Sequence, residues 1–111
     1  MAYSDAVVFI ETPVFTRQIE DLLTEDEYCG LQQALILNPG VGDVIRNTGG
    51  LRKVRWRAGS KGKRGGIRVI YYWFVCEHEI YMLLAYGKNH KDDLSPRELS
   101  ILRGVVHKVQ L

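Results

Sequence analysis

The chain has 111 residues, 46% of them hydrophobic and 25% charged, with a net charge of +2. This fits one small domain, residues 1–111, with one modest core. No apolar run is long enough to span a bilayer, and residues 1–5 lack the basic start and long apolar stretch of a secretory signal, so a cytoplasmic domain is expected. Cys29 and Cys76 show neither Cys-x-x-Cys spacing nor clustered histidines. They are expected to be buried free thiols rather than zinc ligands.

Residues 6–11 are β-rich and are followed by Pro13, which predicts a first strand. Residues 17–23 predict a short helix with Ile19, Leu22 and Leu23 on one side. Thr24 and Glu27 have the spacing of a capping box, and Leu23 and Tyr28 that of its hydrophobic staple, so a second helix starts there. Its apolar face runs through Tyr28, Leu31, Ala34 and Leu35, and Asn38-Pro39-Gly40 stops it. Residues 51–57 alternate: Val54 and Trp56 point one way, while Lys53, Arg55 and Arg57 point the other. Residues 67–75 and 80–86 are apolar on both faces and rich in β-branched and aromatic residues, as central strands are. Ser95-Pro96-Arg97-Glu98 opens a last helix, with Leu99, Leu102, Val106 and Val109 on one face. The order β-α-α-β-β-β-α predicts an α+β domain. Its last three strands form an antiparallel meander with helices packed on it.

Charge is concentrated in one place. Residues 52–68 hold eight of the fifteen Lys and Arg residues and no Asp or Glu. Glu20, Asp21, Glu25, Asp26, Glu27 and Asp43 precede them. A basic strip on a nearly neutral domain suits an extended polyanion, with RNA the leading choice; a solvated basic hairpin is the plainer alternative. Lys61, Lys63 and Arg64 lie in a Gly-rich loop, where backbone N–H groups can approach an anion. The loop has no Walker A spacing, so a nucleic-acid backbone suits it better than a free nucleotide.

Four segments, in order, carry a family resemblance. They are Leu37-Asn-Pro-Gly-Val-Gly-Asp43-Val-Ile, Gly49-Gly-Leu-Arg-Lys-Val-Arg55, Lys61-Gly-Lys-Arg-Gly-Gly-Ile-Arg68-Val-Ile-Tyr-Tyr72 and Leu84-Ala-Tyr86-Gly-Lys88-Asn. Together they resemble the RelE/HigB superfamily of toxins of type II toxin–antitoxin systems, nearest to its HigB-like, phage-derived branch. The resemblance implies a RelE-like fold: a small antiparallel-type sheet of about four strands, two N-terminal helices and a C-terminal helix. It also implies a metal-independent, ribosome-dependent endoribonuclease (an mRNA interferase) that inhibits translation. The partners implied are the ribosome, mRNA and a HigA-like helix-turn-helix antitoxin. No cofactor and no membrane are implied.

Metal-free RNA cleavage needs three things. The 2′-hydroxyl loses a proton, the pentavalent phosphate is stabilised, and the 5′-oxygen gains a proton. The resemblance implies that Lys53, Arg55 and Arg68 are active-site positions. Arg68 is expected to stabilise the transition state, and Lys53 either to move a proton or to bind phosphate. Many relatives carry Arg or Tyr near the end of the last strand, whereas this chain reads Gly87-Lys88-Asn89-His90. Lys88 suits the cationic role and His90 suits an acid or base; a solvated loop histidine is the alternative. Arg57, Lys61, Lys63, Arg64 and Lys91 are expected to bind the RNA backbone. One of Tyr71 and Tyr72, with Tyr72 favoured, is expected to stack a base, and core packing is the alternative. His78 and His107 have no evident partner. Two other readings stay open: a ParE-like toxin acting on DNA gyrase, and a non-catalytic RNA-binding module.

Overall fold

A computed structural model describes residues 6–59, 66–88 and 93–110. Its elements are β1 (Val8–Glu11), α1 (Pro13–Leu22), α2 (Glu25–Leu37), β2 (Asp43–Val44), β3 (Leu51–Trp56), β4 (Ile67–Phe74), β5 (Glu79–Gly87) and α3 (Pro96–Gln110). The five strands form one sheet in the order β1-β5-β4-β3-β2. β3, β4 and β5 are the expected antiparallel meander. Two features differ from expectation. β1 joins the edge parallel to β5, so the sheet is mixed. The two-residue β2 adds a fifth strand against β3.

Local chemistry accounts for the helices. The Thr12 side chain accepts from the Phe15 N–H and caps α1, with Pro13 in its first turn. That cap starts the helix four residues earlier than its apolar pattern suggests. The expected capping box opens α2: the Glu27 N–H donates to Thr24 Oγ1 at 3.2 Å, and the Thr24 N–H donates to Glu27 Oε1 at 2.9 Å. Ser95 and Glu98 make the same reciprocal pair at α3.

The sheet is covered on both faces. Phe15, Ile19 and Leu22 from α1, with Leu31 and Leu35 from α2, pack on Val54, Ile67, Val69, Tyr71, Ile80, Met82 and Ala85. Leu102 and Val106 of α3 pack on the opposite face against Leu51, Ile70, Tyr72, Leu83 and Tyr86. β4 is therefore buried along Ile67, Arg68, Val69, Ile70, Tyr71 and Tyr72, which explains its unbroken apolar reading apart from the arginine. At the end of β1, Glu11 ties three elements together. It accepts from Thr16 Oγ1 at 2.6 Å and from the Tyr28 hydroxyl. Burial, then the Glu11 carboxylate, raises the Tyr28 pKa well above the usual phenol value.

The two cysteines are free, as expected, but both are exposed rather than buried. Cys29 lies on the side of α2 opposite the Leu31 and Leu35 stripe, and Cys76 lies in the 3₁₀ turn Val75–Glu77. Residue type misled here, because position on the element decides burial. His78 ends that turn in the left-handed region with φ of 53°, and His107 is exposed on α3.

Candidate RNA-binding and cleavage site

The alternation along β3 sorts its charges. Val54 and Trp56 face α1 and α2, while Leu51, Lys53 and Arg55 share the face that α3 covers. Arg52, on the first of these faces, is a structural residue. Its Nη1 donates to the carbonyls of Gly40 at 3.1 Å and Gly42 at 2.7 Å. Trp56 belongs to the core, as expected from its pairing with Val54, and its indole N–H donates to the Glu27 carbonyl at 3.2 Å.

Strand register then assembles a row across three strands. Arg55 is the direct partner of Arg68, and Arg68 is the direct partner of Tyr86. In β4, Arg68 alternates with Ile67 and Val69 and falls on the α3 face with Ile70 and Tyr72. Cross-strand partners hold their Cβ atoms about 5 Å apart, so the Arg55 and Arg68 side chains leave the sheet side by side, with Tyr86 on the far side of Arg68. Lys53 lies two residues before Arg55 on the same face. Burial differs sharply within the group. Arg68 is 6% exposed and Tyr86 5%, whereas Arg55 and Lys88 are exposed. The row thus has a fixed cation at its centre and accessible cations around it.

Two local features fix this end of the sheet. Gly66 precedes β4 with φ of +74°, and a Cβ there would lie 2.3 Å from the Trp56 carbonyl oxygen. The glycine lets the strand re-enter close to the end of β3. Its carbonyl accepts from the Lys88 N–H at 3.3 Å, which keeps Lys88 at the Arg68 end of the sheet.

A pocket of about 290 Å³ lies on the same face, lined by Ile45, Lys53, Tyr86, Asp93, Leu94 and Leu99. Lys53 Nζ contacts Asp93 Oδ1 at 3.0 Å there. Asp93 was not singled out from sequence, and Tyr86 stood there only within the segment 84–89, without a role. Register sets Tyr86 beside Arg68, and the approach of the segment before α3 brings Asp93 to Lys53, a contact that leaves no motif.

Lys53, Arg55, Arg68 and Lys88 thus come together at one end of the sheet. Arg57 does not join them. It lies past the end of β3 and lines a separate recess with Glu27, Gly30, Trp56 and Gly59. Tyr72 is on the α3 face but is 8% exposed, packed among Leu102, Val106 and Leu51. Its hydroxyl accepts from Gln110 Nε2 at 3.0 Å, and its ring stacks on Phe74. The base-stacking expectation for Tyr72 gives way to core packing under α3. Tyr71 is also buried and serves a loop anchor. His90, Lys61, Lys63, Arg64 and Lys91 lie outside the described residues.

Among the described residues, no group of three His, Cys, Asp or Glu side chains is placed to hold a metal ion. No described helix is long and apolar enough to cross a membrane.

No family model matches the sequence. The fold is similar to that of a double arginine-to-alanine mutant of the E. coli toxin RelE, solved in the free state. The TM-score is 0.57 over 78% of this chain and 88% of that chain, at 12% identity. The chain therefore has a RelE-like α+β fold. At that identity the likeness concerns the fold alone.

Proposed function

We propose that this chain is the toxin of a type II toxin–antitoxin system, a ribosome-dependent endoribonuclease that cuts mRNA without a metal ion. The observation that carries this reading is the cross-strand row Arg55, Arg68 and Tyr86, with Lys53 on the same face, set on a RelE-like fold. In the proposed reaction Arg68 holds two non-bridging phosphate oxygens as charge builds on the pentavalent phosphate. Arg55 and Lys88 bind the flanking phosphates from exposed positions. Lys53, already ion-paired in the free protein, acts as a phosphate-binding ammonium rather than as the base. Tyr86, buried beside Arg68 under α3, packs against the row and keeps Arg68 in place rather than touching the phosphate. His90, two residues after Lys88 in sequence, is the proposed acid or base. Arg57, Lys61, Lys63, Arg64 and Lys91 are proposed to bind the backbone of the message or of ribosomal RNA.

The HigB-like motifs support a HigA-like helix-turn-helix antitoxin as partner and a cytoplasmic site of action. A ParE-like action on gyrase is disfavoured because it gives the row no reaction to perform. The test is single-turnover cleavage of ribosome-bound message, with the cut positions mapped. Cleavage by the wild-type protein that leaves a 2′,3′-cyclic phosphate end, lost on Arg68→Ala, is expected. Binding without cleavage would leave the RNA-binding module as the reading. Inhibition of gyrase with intact message would replace both.

A further inference from the structure

Asp93 stands in the wrong place for a residue with no role. It is a carboxylate set against Lys53, on the sheet face that also carries Arg55 and Arg68. It lies 3.0 Å from Lys53 Nζ, and its side chain is 79% exposed against 24% for that of Lys53. The contact joins residues 40 positions apart, so it depends on the docked α3 segment rather than on local sequence. An exposed carboxylate needs no lysine to satisfy it, because water would serve. The half-buried lysine is the partner whose electrostatics the contact changes.

We propose that Asp93 is an internal competitor for the RNA phosphate at Lys53. This rests on the reading of the row as an RNA site and assigns its regulation. In the free protein the carboxylate takes the position of a phosphate oxygen. It closes one side of the pocket that Tyr86 and Leu99 also line. RNA that engages Arg55 and Arg68 together gains enough to swing Asp93 into solvent, which its exposure allows. A lone phosphate meeting only Lys53 does not. Asp93 therefore selects for a chain of phosphates in register with the row and lowers idle binding of small anions.

The competition has a signature that a structural role would lack. Salt screens the Lys53–Asp93 pair as well as the Lys53–phosphate contact, so in wild type the two effects oppose each other at this position. Removing the competitor should steepen the log–log salt slope, by at most about 0.7, the increment for one single-strand phosphate contact. An exposed ion pair has a modest worth, so Asp93→Asn should tighten binding by about two- to fivefold.

The experiment is fluorescence anisotropy of a short labelled single-stranded RNA across a KCl series, using the full chain. The variants are wild type, Asp93→Asn, Lys53→Gln and the double variant. Asp26→Asn on α2, on the other side of the sheet, controls for net charge. The expected result is tighter binding and a steeper slope for Asp93→Asn. Both effects should vanish in the Lys53→Gln background, with no gain for Asp26→Asn. Asp93→Ala should behave like Asp93→Asn, and both should melt within a few degrees of wild type, since the side chain is exposed. Equal or weaker binding by the Asp93 variants overturns the proposal. So does the same gain with Lys53 absent, or the same gain from Asp26→Asn. Failure of all proteins to bind RNA overturns it as well, while cleavage of ribosome-bound message tests the underlying reading separately. An uncoupled but RNA-binding row overturns it alone.

Discussion

The Tyr71 hydroxyl lies 3.0 Å from the Gly42 N–H, which donates to it, and itself donates to the Pro39 carbonyl at 2.6 Å. A fully buried ring in β4 thus clamps the turn between α2 and β2. Gly42 is where such a ring can approach, because a Cβ there would meet the Tyr71 ring and hydroxyl at 2.9 Å. The turn leads directly into β2, whose Asp43 is the register partner of Lys53, so the clamp also frames one side of the basic face. Tyr71→Phe keeps the packing but leaves a buried N–H without its acceptor. It should cost about 1–3 kcal/mol in urea unfolding. RNA affinity at saturating stability should be nearly unchanged.

Alkaline pH should destabilise the fold through its buried phenols. Burial first, and the Glu11 carboxylate second, raise the pKa of Tyr28; burial likewise raises that of Tyr71. A phenol with a raised folded-state pKa contributes fully below its unfolded value, near pH 10, and loses that contribution as pH climbs toward the folded value. Stability should be flat through neutrality as far as these groups are concerned, then fall above about pH 10. Tyr28→Phe should make the fall shallower. Equal slopes for the two proteins in chemical denaturation from pH 9 to 11 would contradict this.

Much of the architecture was legible because local signals agreed. Thr24 with Glu27 and Ser95 with Glu98 announce two helix starts, and alternation in β3 sorts Lys53 and Arg55 from Val54 and Trp56. What escaped depends on partners far away in sequence. β1 is parallel to β5 at a separation of about 70 residues, and no pattern in a four-residue strand states its neighbour. β2 is too short to show a period. Arg57 follows the alternation of β3 in sequence, but the strand ends at Trp56, so its side is no longer set by the ladder. Arg68 was singled out through the family resemblance. Its burial was not legible, because that follows from register and from α3.

Gly66→Ala tests how the fold supports the row. The position has φ of +74°, where an L-residue costs about 1–2 kcal/mol from backbone strain alone. The added methyl would also collide with the Trp56 carbonyl oxygen and push the ends of β3 and β4 apart. Arg68 is two residues on, so stability and RNA affinity should fall together. Thr24→Ala provides the contrast. It removes the α2 cap at about 1 kcal/mol and leaves the row in place, so RNA affinity should hold.

Arg68 should be the most sensitive single position for activity. Its place at the centre of a three-strand row fixes the guanidinium on rigid backbone between Arg55 and Tyr86. Its 6% exposure means that the charge acts where water screens it little. The same burial complicates truncation, because Arg68→Ala removes packed methylenes as well as charge and should lower stability measurably. Arg68→Lys separates the two effects. It keeps a cation and most of the stem but cannot contact two phosphate oxygens in one plane. On the proposed reaction, Arg68→Lys should fold with near wild-type stability and bind RNA within a few-fold. It should cleave ribosome-bound message about 10²–10³ more slowly, the usual cost of one lost transition-state donor. Arg68→Ala should be at least as slow and should no longer arrest growth. If folded Arg68→Lys cleaves at the wild-type rate in a single turnover, bidentate contact is not what the row provides. Lys53 and Lys88 would then be the next positions to carry the chemistry.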